Sequence, residues 1–250
     1  SKDGDSTVVE EEVTIVNYYP LKANSYWTYN NMSDQGVNRD SIYVAGTQGT
    51  NTNLDALPPA NGLMTTVLSG NSNVVRTTET QLILNGELSS PIDIEGFPDI
   101  TIPLNDVILY DTGAAVNTEL SSISGVIVET ISNIPLNINY VTSTKQAETL
   151  SSYTVAGQSF NDVIVSKVVL NLAIIAEISI GTITLEVPLL SAQDILVVTN
   201  YYAANVGLIY SESHIEYHLE DLSATGIELP IPPDGISEAS QAIDTYVIGD

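Results

Sequence analysis

The only imidazoles in this chain are His214 and His218, four residues apart in LIYSESHIEYHLEDL (208–222). On a helix that spacing places both rings on one face, where they could hold a divalent metal. Here Ile209, Ile215, Tyr217 and Leu219 alternate as strand residues do, with Glu212, His214, Glu216, His218 and Glu220 as a polar stripe on the opposite face. Four strand residues separate the rings by about 13 Å, too far to share an ion, and zinc needs three or four converging ligands. The stripe reads as a solvated face, and no metal is assigned to it.

A second cluster is Asp93, Glu95 and Asp99 around Gly96 in PIDIEGFPDI (91–100). Its oxygens could attract calcium, but the spacing departs from the EF-hand loop and calcium takes about six to eight oxygens. It reads as an acidic hairpin loop. The third cluster is aromatic: Tyr26, Trp27 and Tyr29 near the start of a chain with 13 Tyr, two Phe and one Trp. Such a patch could stack sugars or anchor a partner, although Tyr and Trp are also ordinary strand residues. The serine signature G-x-S-x-G, the phosphate loop and the dinucleotide fingerprint do not occur. With 31 acidic residues, any carboxylate pair drawn from sequence is uninformative. No catalytic residue, ligand-binding residue or cofactor is assigned, and whether the chain is an enzyme stays open, with a non-enzymatic role favoured.

Composition narrows the partners. The 250 residues carry 31 acids against six bases, a formal charge of −25, and no cysteine. That field repels nucleic-acid phosphates and anionic membrane surfaces. Missing thiols exclude disulfides, thiolate metal sites and cysteine nucleophiles. A hydrophobic share of 43% is ample for a core. No transmembrane helix is expected, because the longest apolar stretch, 195–211, reads as two strands around a turn. No signal peptide pattern opens the chain, which reads as mature or trimmed.

The elements that must position these residues are strands. Residues 1–12 (SKDGDSTVVEEE) read as a flexible acidic tether and 13–250 as a single all-β domain. Period-2 alternation marks 39–46, 126–132, 151–157 and 200–210, with strands about every ten residues. Asn85-Gly86 predicts a type I′ hairpin setting Leu84 opposite Glu87. In AIIAEISIGTITLEVPL (173–189) the apolar phase slips at Gly181-Thr182, which predicts a tight hairpin with Glu177 facing Glu186 unless the turn is longer or bulged. Pro103, Pro135 and Pro188, each followed by Leu, mark strand ends, edges or bulges. A short helix is expected at Ser237–Ile243. The fold expected is antiparallel sheets in a curved half-barrel or a sandwich, with at most short helices.

Three segments carry a resemblance. YYPLKANSYWTYN (18–30), YTVAGQSFNDVIVSKVVL (153–170) and YYAANVGLIYSES (201–213) are similar, in order and spacing, to strand motifs of cell-envelope lipoproteins of the Bacteroidetes type. Ala23-Asn24 stands where that pattern has Gly. SKDGD resembles the run after a lipidated cysteine, a residue this chain does not contain. The resemblance implies an outer-membrane-anchored protein, surface-exposed or periplasmic, held by a lipid anchor outside this chain. Some members have half-barrels like the periplasmic lipoprotein carriers (LolA-like). It transfers no catalytic residues. The function expected is binding of a hydrophobic ligand, such as a lipid, or of an envelope protein; the alternative is a glycan-binding module or envelope hydrolase using Tyr26, Trp27 and Tyr29. A lipid ligand would need an apolar cavity in the sheet, lined by the aliphatic strands of 163–198.

Overall fold

The computed structural model describes residues 14–70 and 72–250. The acidic leader of residues 1–12 lies outside them. Twelve strands follow in order: β1 (Tyr26–Ser33), β2 (Gly36–Gln48), β3 (Asn51–Leu57), β4 (Val74–Thr77), β5 (Gln81–Ser89), β6 (Thr101–Asp111), β7 (Glu119–Ile131), β8 (Ile134–Val155), β9 (Gln158–Ile180), β10 (Ile183–Ala203), β11 (Gly207–His218) and β12 (Asp234–Val247). One short helix, α1 (Leu63–Leu68), sits between β3 and β4. The first strand starts at Tyr26, so the described residues ahead of it do not extend the sheet.

The strands form a single antiparallel sheet in the order β6-β5-β4-β3-β2-β1-β12-β11-β10-β9-β8-β7. It curls until its two edge strands meet, giving the expected curved all-β form. Closure uses side chains in place of ladder bonds. Ile108 N donates to Ser121 Oγ (3.2 Å), Asp111 N to Gln146 Oε1 (3.2 Å), and Ser166 Oγ donates to the Leu109 carbonyl (2.5 Å). Edge groups of β6 are thereby satisfied by β7, β8 and β9 without a continuous ladder.

The interior is filled by rings. Tyr19, Trp27, Tyr29, Tyr110 and Tyr202 are buried together, with Tyr19 and Trp27 centroids 5.0 Å apart and Tyr110 and Tyr202 also 5.0 Å apart, edge-on. The same core holds Leu170, Leu172 and Ile174 from β9 and Leu196 and Val198 from β10. Helix α1 lays Met64, Val67 and Leu68 against this core. It is held by the buried carboxyl of Asp40, which accepts from Asn61 N and Gly62 N, both at 2.9 Å, and from Thr65 Oγ1 at 3.3 Å.

Local signals resolve in different ways. Gly181-Thr182 is a two-residue turn closed by Ile180 and Ile183, with Glu177 directly opposite Glu186, as the phase slip predicts. Asn137 Nδ2 bonds Glu177 at 3.0 Å and gives that carboxylate a donor. Pro103 lies on edge strand β6, Pro135 is the second residue of β8, and Pro188 sits at a register break in β10. Asn85-Gly86 is not a hairpin; it lies inside β5 at a bulge. The Asn73 amide occupies the space a Gly86 side chain would fill, accepting from Glu87 N at 2.9 Å and donating to Glu87 O at 3.2 Å. Leu84 therefore faces Val75 and Val107, not Glu87. Ser237–Ile243 is not helical but part of β12, because β1 and β11 supply ladder partners on both sides. Nor do strands recur every ten residues: β8, β9 and β10 run 22, 23 and 21 residues.

Strands that long, about 70 Å when extended, outrun the barrel at both ends. At one end the β8–β9 hairpin folds over the sheet: Tyr153 stacks on Tyr201 with centroids 4.4 Å apart, and Gln158 Nε2 bonds the Asp244 carbonyl at 2.8 Å. A bulge at Gln146/Glu148 and the left-handed Asp162 (φ 55) mark the bend. At the other end the β9–β10 hairpin projects, with 179–186 exposed, while the β7–β8 hairpin keeps Ile131 and Leu136 buried on one face.

Candidate interaction surface

The three resembling segments meet in space. Trp27 Nε1 donates to the Val206 carbonyl at 2.6 Å, Tyr29 OH to the Leu208 carbonyl at 2.8 Å, and Tyr18 OH to Asp162 Oδ1 at 2.6 Å. Asn205 N bonds Asn17 O at 2.7 Å and Ala204 N bonds Asp162 O at 2.9 Å. Asn24, where the pattern has Gly, is left-handed (φ 64), a conformation Asn tolerates better than other side chains. These segments build one internal joint. Trp27 and Tyr29 are buried, so neither offers a face to a sugar; only Tyr26 of the aromatic trio is exposed. The glycan platform expected from the sequence is not formed, because the bulkiest rings go to the core.

A row of neutral polar side chains crosses the inner face of the sheet. Asn31, Gln241, Ser211, Asn200, Ser166 and Gln146 are successive cross-strand partners, and all are buried. Gln241 accepts from Met64 N and donates to Thr65 Oγ1, Ser211 donates to Asn200 Oδ1, and Ser166 and Gln146 hold β6. Each hydroxyl is engaged in holding β6 or a neighbouring strand, and among the described residues no imidazole or carboxylate bonds Ser166 or Ser211. The row acts as a structural clamp.

His214 and His218 stand on one face of β11, and Glu216 lies between them. Glu216 bonds His214 Nε2 at 3.0 Å and His218 Nε2 at 3.1 Å. The other ring nitrogens meet Glu238 (3.2 Å) and Asp234 (2.7 Å) on β12. The Glu216 bond, with Glu238 behind it, raises the His214 pKa; Asp234, then Glu216, raises that of His218. Both imidazoles lower that of Glu216. This is an alternating acid–imidazole chain on the surface. Among the described residues no three His, Asp or Glu side chains converge as metal ligands. Glu220 leaves the stripe, since β11 ends at His218 and Glu220 bonds Ser191. In the acidic loop, Asp93 and Glu95 are not brought to a common point: Asp99 accepts from Ser90 Oγ at 3.2 Å, and Gly96 packs against Pro230.

Two concavities bear on ligand binding. An open groove of about 550 Å³ runs over β10, β11 and β12, bounded by Met32, Val197, Tyr210, Glu212, His214 and Glu238. Its lining is mixed, with Met32, Val197 and Ala239 beside the acids Asp34, Glu212 and Glu238. The void lined wholly by apolar contacts in the barrel, among Met64, Val67, Leu84, Leu104, Leu109 and Leu196, is about 30 Å³. Pockets for small organic ligands are about 300 Å³ or more.

Exposed aliphatic surface lies at the β7–β10 end of the sheet. On β9–β10 Ile180, Ile183 and Leu185 are exposed, and on β7 Val126 and Val128 are 58% and 72% exposed. By register Val126 and Val128 share a face with Glu177 and Glu186, and Ile180, Ile183 and Leu185 share the opposite face with Glu129, while Lys145 and Lys167 stand farther along β8 and β9. The sequence reading did not single these residues out. Their signal is Val126-Ile127-Val128, apolar on both faces of one strand, where a one-sided strand would alternate.

No family model matches the chain, and no curated protein matches it. Among solved structures, a protein from Parabacteroides distasonis ATCC 8503 with a provisional lipoprotein designation is similar over 94% of this chain and 100% of its own. Identity is 13% and the TM-score 0.34. Overlap that loose carries no argument about fold or function.

Proposed function

We propose that this chain is a non-enzymatic domain of the bacterial cell envelope that binds a partner protein through the projecting β7–β10 end of its sheet. The observation that carries this reading is the contrast between inside and outside. Rings and α1 fill the interior, leaving an apolar void of about 30 Å³, while at one end of the sheet Ile180, Ile183 and Leu185 stay exposed on one face and Val126 and Val128 on the other. Exposed aliphatic residues gathered at one end of a sheet, with acids on both faces beside them, mark an interaction surface. For an acyl-chain ligand, the other half of the leading expectation, that apolar void of about 30 Å³ compares with the ~300 Å³ of small-ligand pockets, which favours the protein partner. The envelope assignment, with a lipid anchor outside this chain, rests on the resemblance of the three strand motifs. Among the described residues no helix is long and apolar enough to cross a membrane.

Photo-crosslinking tests the reading. A benzoylphenylalanine replacing Ile183 should give one discrete protein adduct in intact cells. The adduct should vanish in a Leu185→Asp background whose unfolding midpoint is unchanged. Absence of an adduct, or an equal adduct from the distant exposed position Val37, overturns it.

A further inference from the structure

We infer that β7 binds its partner by strand addition, pairing its free edge with an extended segment of another protein that is aliphatic and flanked by basic residues. The inference rests on the partner-binding reading and names how that surface is used.

The free edge follows from the register. Ser132 and Asn133, both left-handed (φ 48 and 63), form a two-residue turn closed by Ile131 and Ile134. In such a hairpin the closing pair exchanges both ladder bonds, and bonded and non-bonded pairs then alternate. The β7–β8 register is unbroken from Ser121 to Ile131. Ile131, Glu129, Ile127, Gly125 and Ile123 therefore bond β8, while Thr130, Val128, Val126 and Ser124 aim N–H and C=O away from the sheet. Among the described residues no backbone bond beyond the β8 ladder reaches 122–131, and β6 meets β7 at Ser121.

Edge strands of monomeric proteins are normally blunted by Pro, Lys, bulges or short length. The opposite edge is blunted: β6 carries Pro103, and Asp106 is left-handed (φ 50) beside the Asn85-Gly86 bulge. Strand β7 is 13 residues long, and 122–131 contains no Pro, Lys or Arg. Side chains on both of its faces are aliphatic, Val126 and Val128 on one and Ile123 and Ile127 on the other. A strand laid beside it would set its own side chains next to these on both faces, which selects an aliphatic segment.

Charge selects the partner. A second copy would bring −25 against −25, whereas a segment flanked by Lys or Arg would meet Glu129 on β7 itself and the negative field of the whole chain.

The probe is the peptide acetyl-Lys-Val-Thr-Val-Thr-Val-Thr-Val-Lys-amide, added to the full chain and followed by residue-resolved amide exchange. At millimolar peptide, exchange at Ser124, Val126, Val128 and Thr130 should slow several-fold, with amides of β1–β5 unchanged. Val126→Pro removes an outward N–H without touching the β8 ladder and should weaken binding at least about tenfold. A Glu-flanked version of the peptide should bind more weakly than the Lys-flanked one. The wild-type protection pattern decides the matter even if the proline variant misfolds. Protection absent at these four amides, protection centred on another strand, or undiminished binding by a folded Val126→Pro chain overturns strand addition. If the Ile183 crosslink forms while the β7 amides stay unprotected, strand addition fails and partner binding stands. Loss of the crosslink itself overturns partner binding.

Discussion

The indole of Trp27 lies directly against the backbone of Gly207: a Cβ built on Gly207 would stand 3.0 Å from Trp27 Nε1 and 3.4 Å from Cε2. Gly207 also has φ +117, a conformation that L side chains rarely adopt. The same indole bonds the preceding carbonyl, Val206 O. The β10–β11 turn and the first strand are thus locked at one point.

Replacing Gly207 with Ala should therefore combine backbone strain of about 1–3 kcal/mol with overpacking of similar size. A loss of at least ~2 kcal/mol is expected in denaturant unfolding, with a shifted Trp27 emission. Gly181→Ala, where the added Cβ meets open space at φ +65, should cost only about 1 kcal/mol. Equal effects at the two sites would show that the Trp27 contact contributes nothing.

Asp40 holds the approach to α1. Asp40→Ala leaves Asn61 N, Gly62 N and Thr65 Oγ1 without their acceptor in a buried loop. A loss of about 2–4 kcal/mol is expected. Asp40→Asn, which keeps one acceptor oxygen, should cost less. Chemical denaturation of both variants checks the order.

Glu177 and Glu186 face each other across the Gly181-Thr182 hairpin. Like charges directly opposite destabilise a ladder, so Glu186→Lys should raise stability by ~0.5 kcal/mol at low salt and by less at high salt. Thermal melts at two ionic strengths test it. A fall in midpoint at low salt would mean that the Asn137 bond to Glu177 already offsets the repulsion.

The His214–Glu216–His218 chain has a definite pH signature. Both histidines are raised above 6.5, so their contribution is fully present below that value and lost as pH rises through the higher folded values. Glu216 is lowered from 4.5, so its contribution is present above that value and lost as pH falls through the lowered one. The chain is therefore intact between about pH 4.5 and 6.5. The groups are largely exposed and the effect on global stability is small. NMR titration should place both imidazole midpoints above the ordinary histidine value. Glu216→Gln should lower both, and an unmoved His218 would assign its shift to Asp234 alone.

Features governed by neighbours in sequence were legible without coordinates. Alternation gave the all-β class, since a strand's side chains alternate faces wherever one face is buried. The Gly181-Thr182 hairpin was readable because a two-residue turn fixes register locally, and the three Pro-Leu sites because proline has no N–H to donate. The His214 and His218 stripe could be placed on one face by the same parity. Other features depended on distant partners. Asn85-Gly86 has the composition of a hairpin, but Asn73 inserts its amide at Gly86 and makes the pair a bulge. Ser237–Ile243 has helical composition, yet β1 and β11 enclose it as a strand. Tyr26, Trp27 and Tyr29 are adjacent in sequence with different fates, because burial depends on which strands curl over them. The free edge of β7 is likewise a property of the closed sheet, because only closure decides which backbone groups are left without a partner.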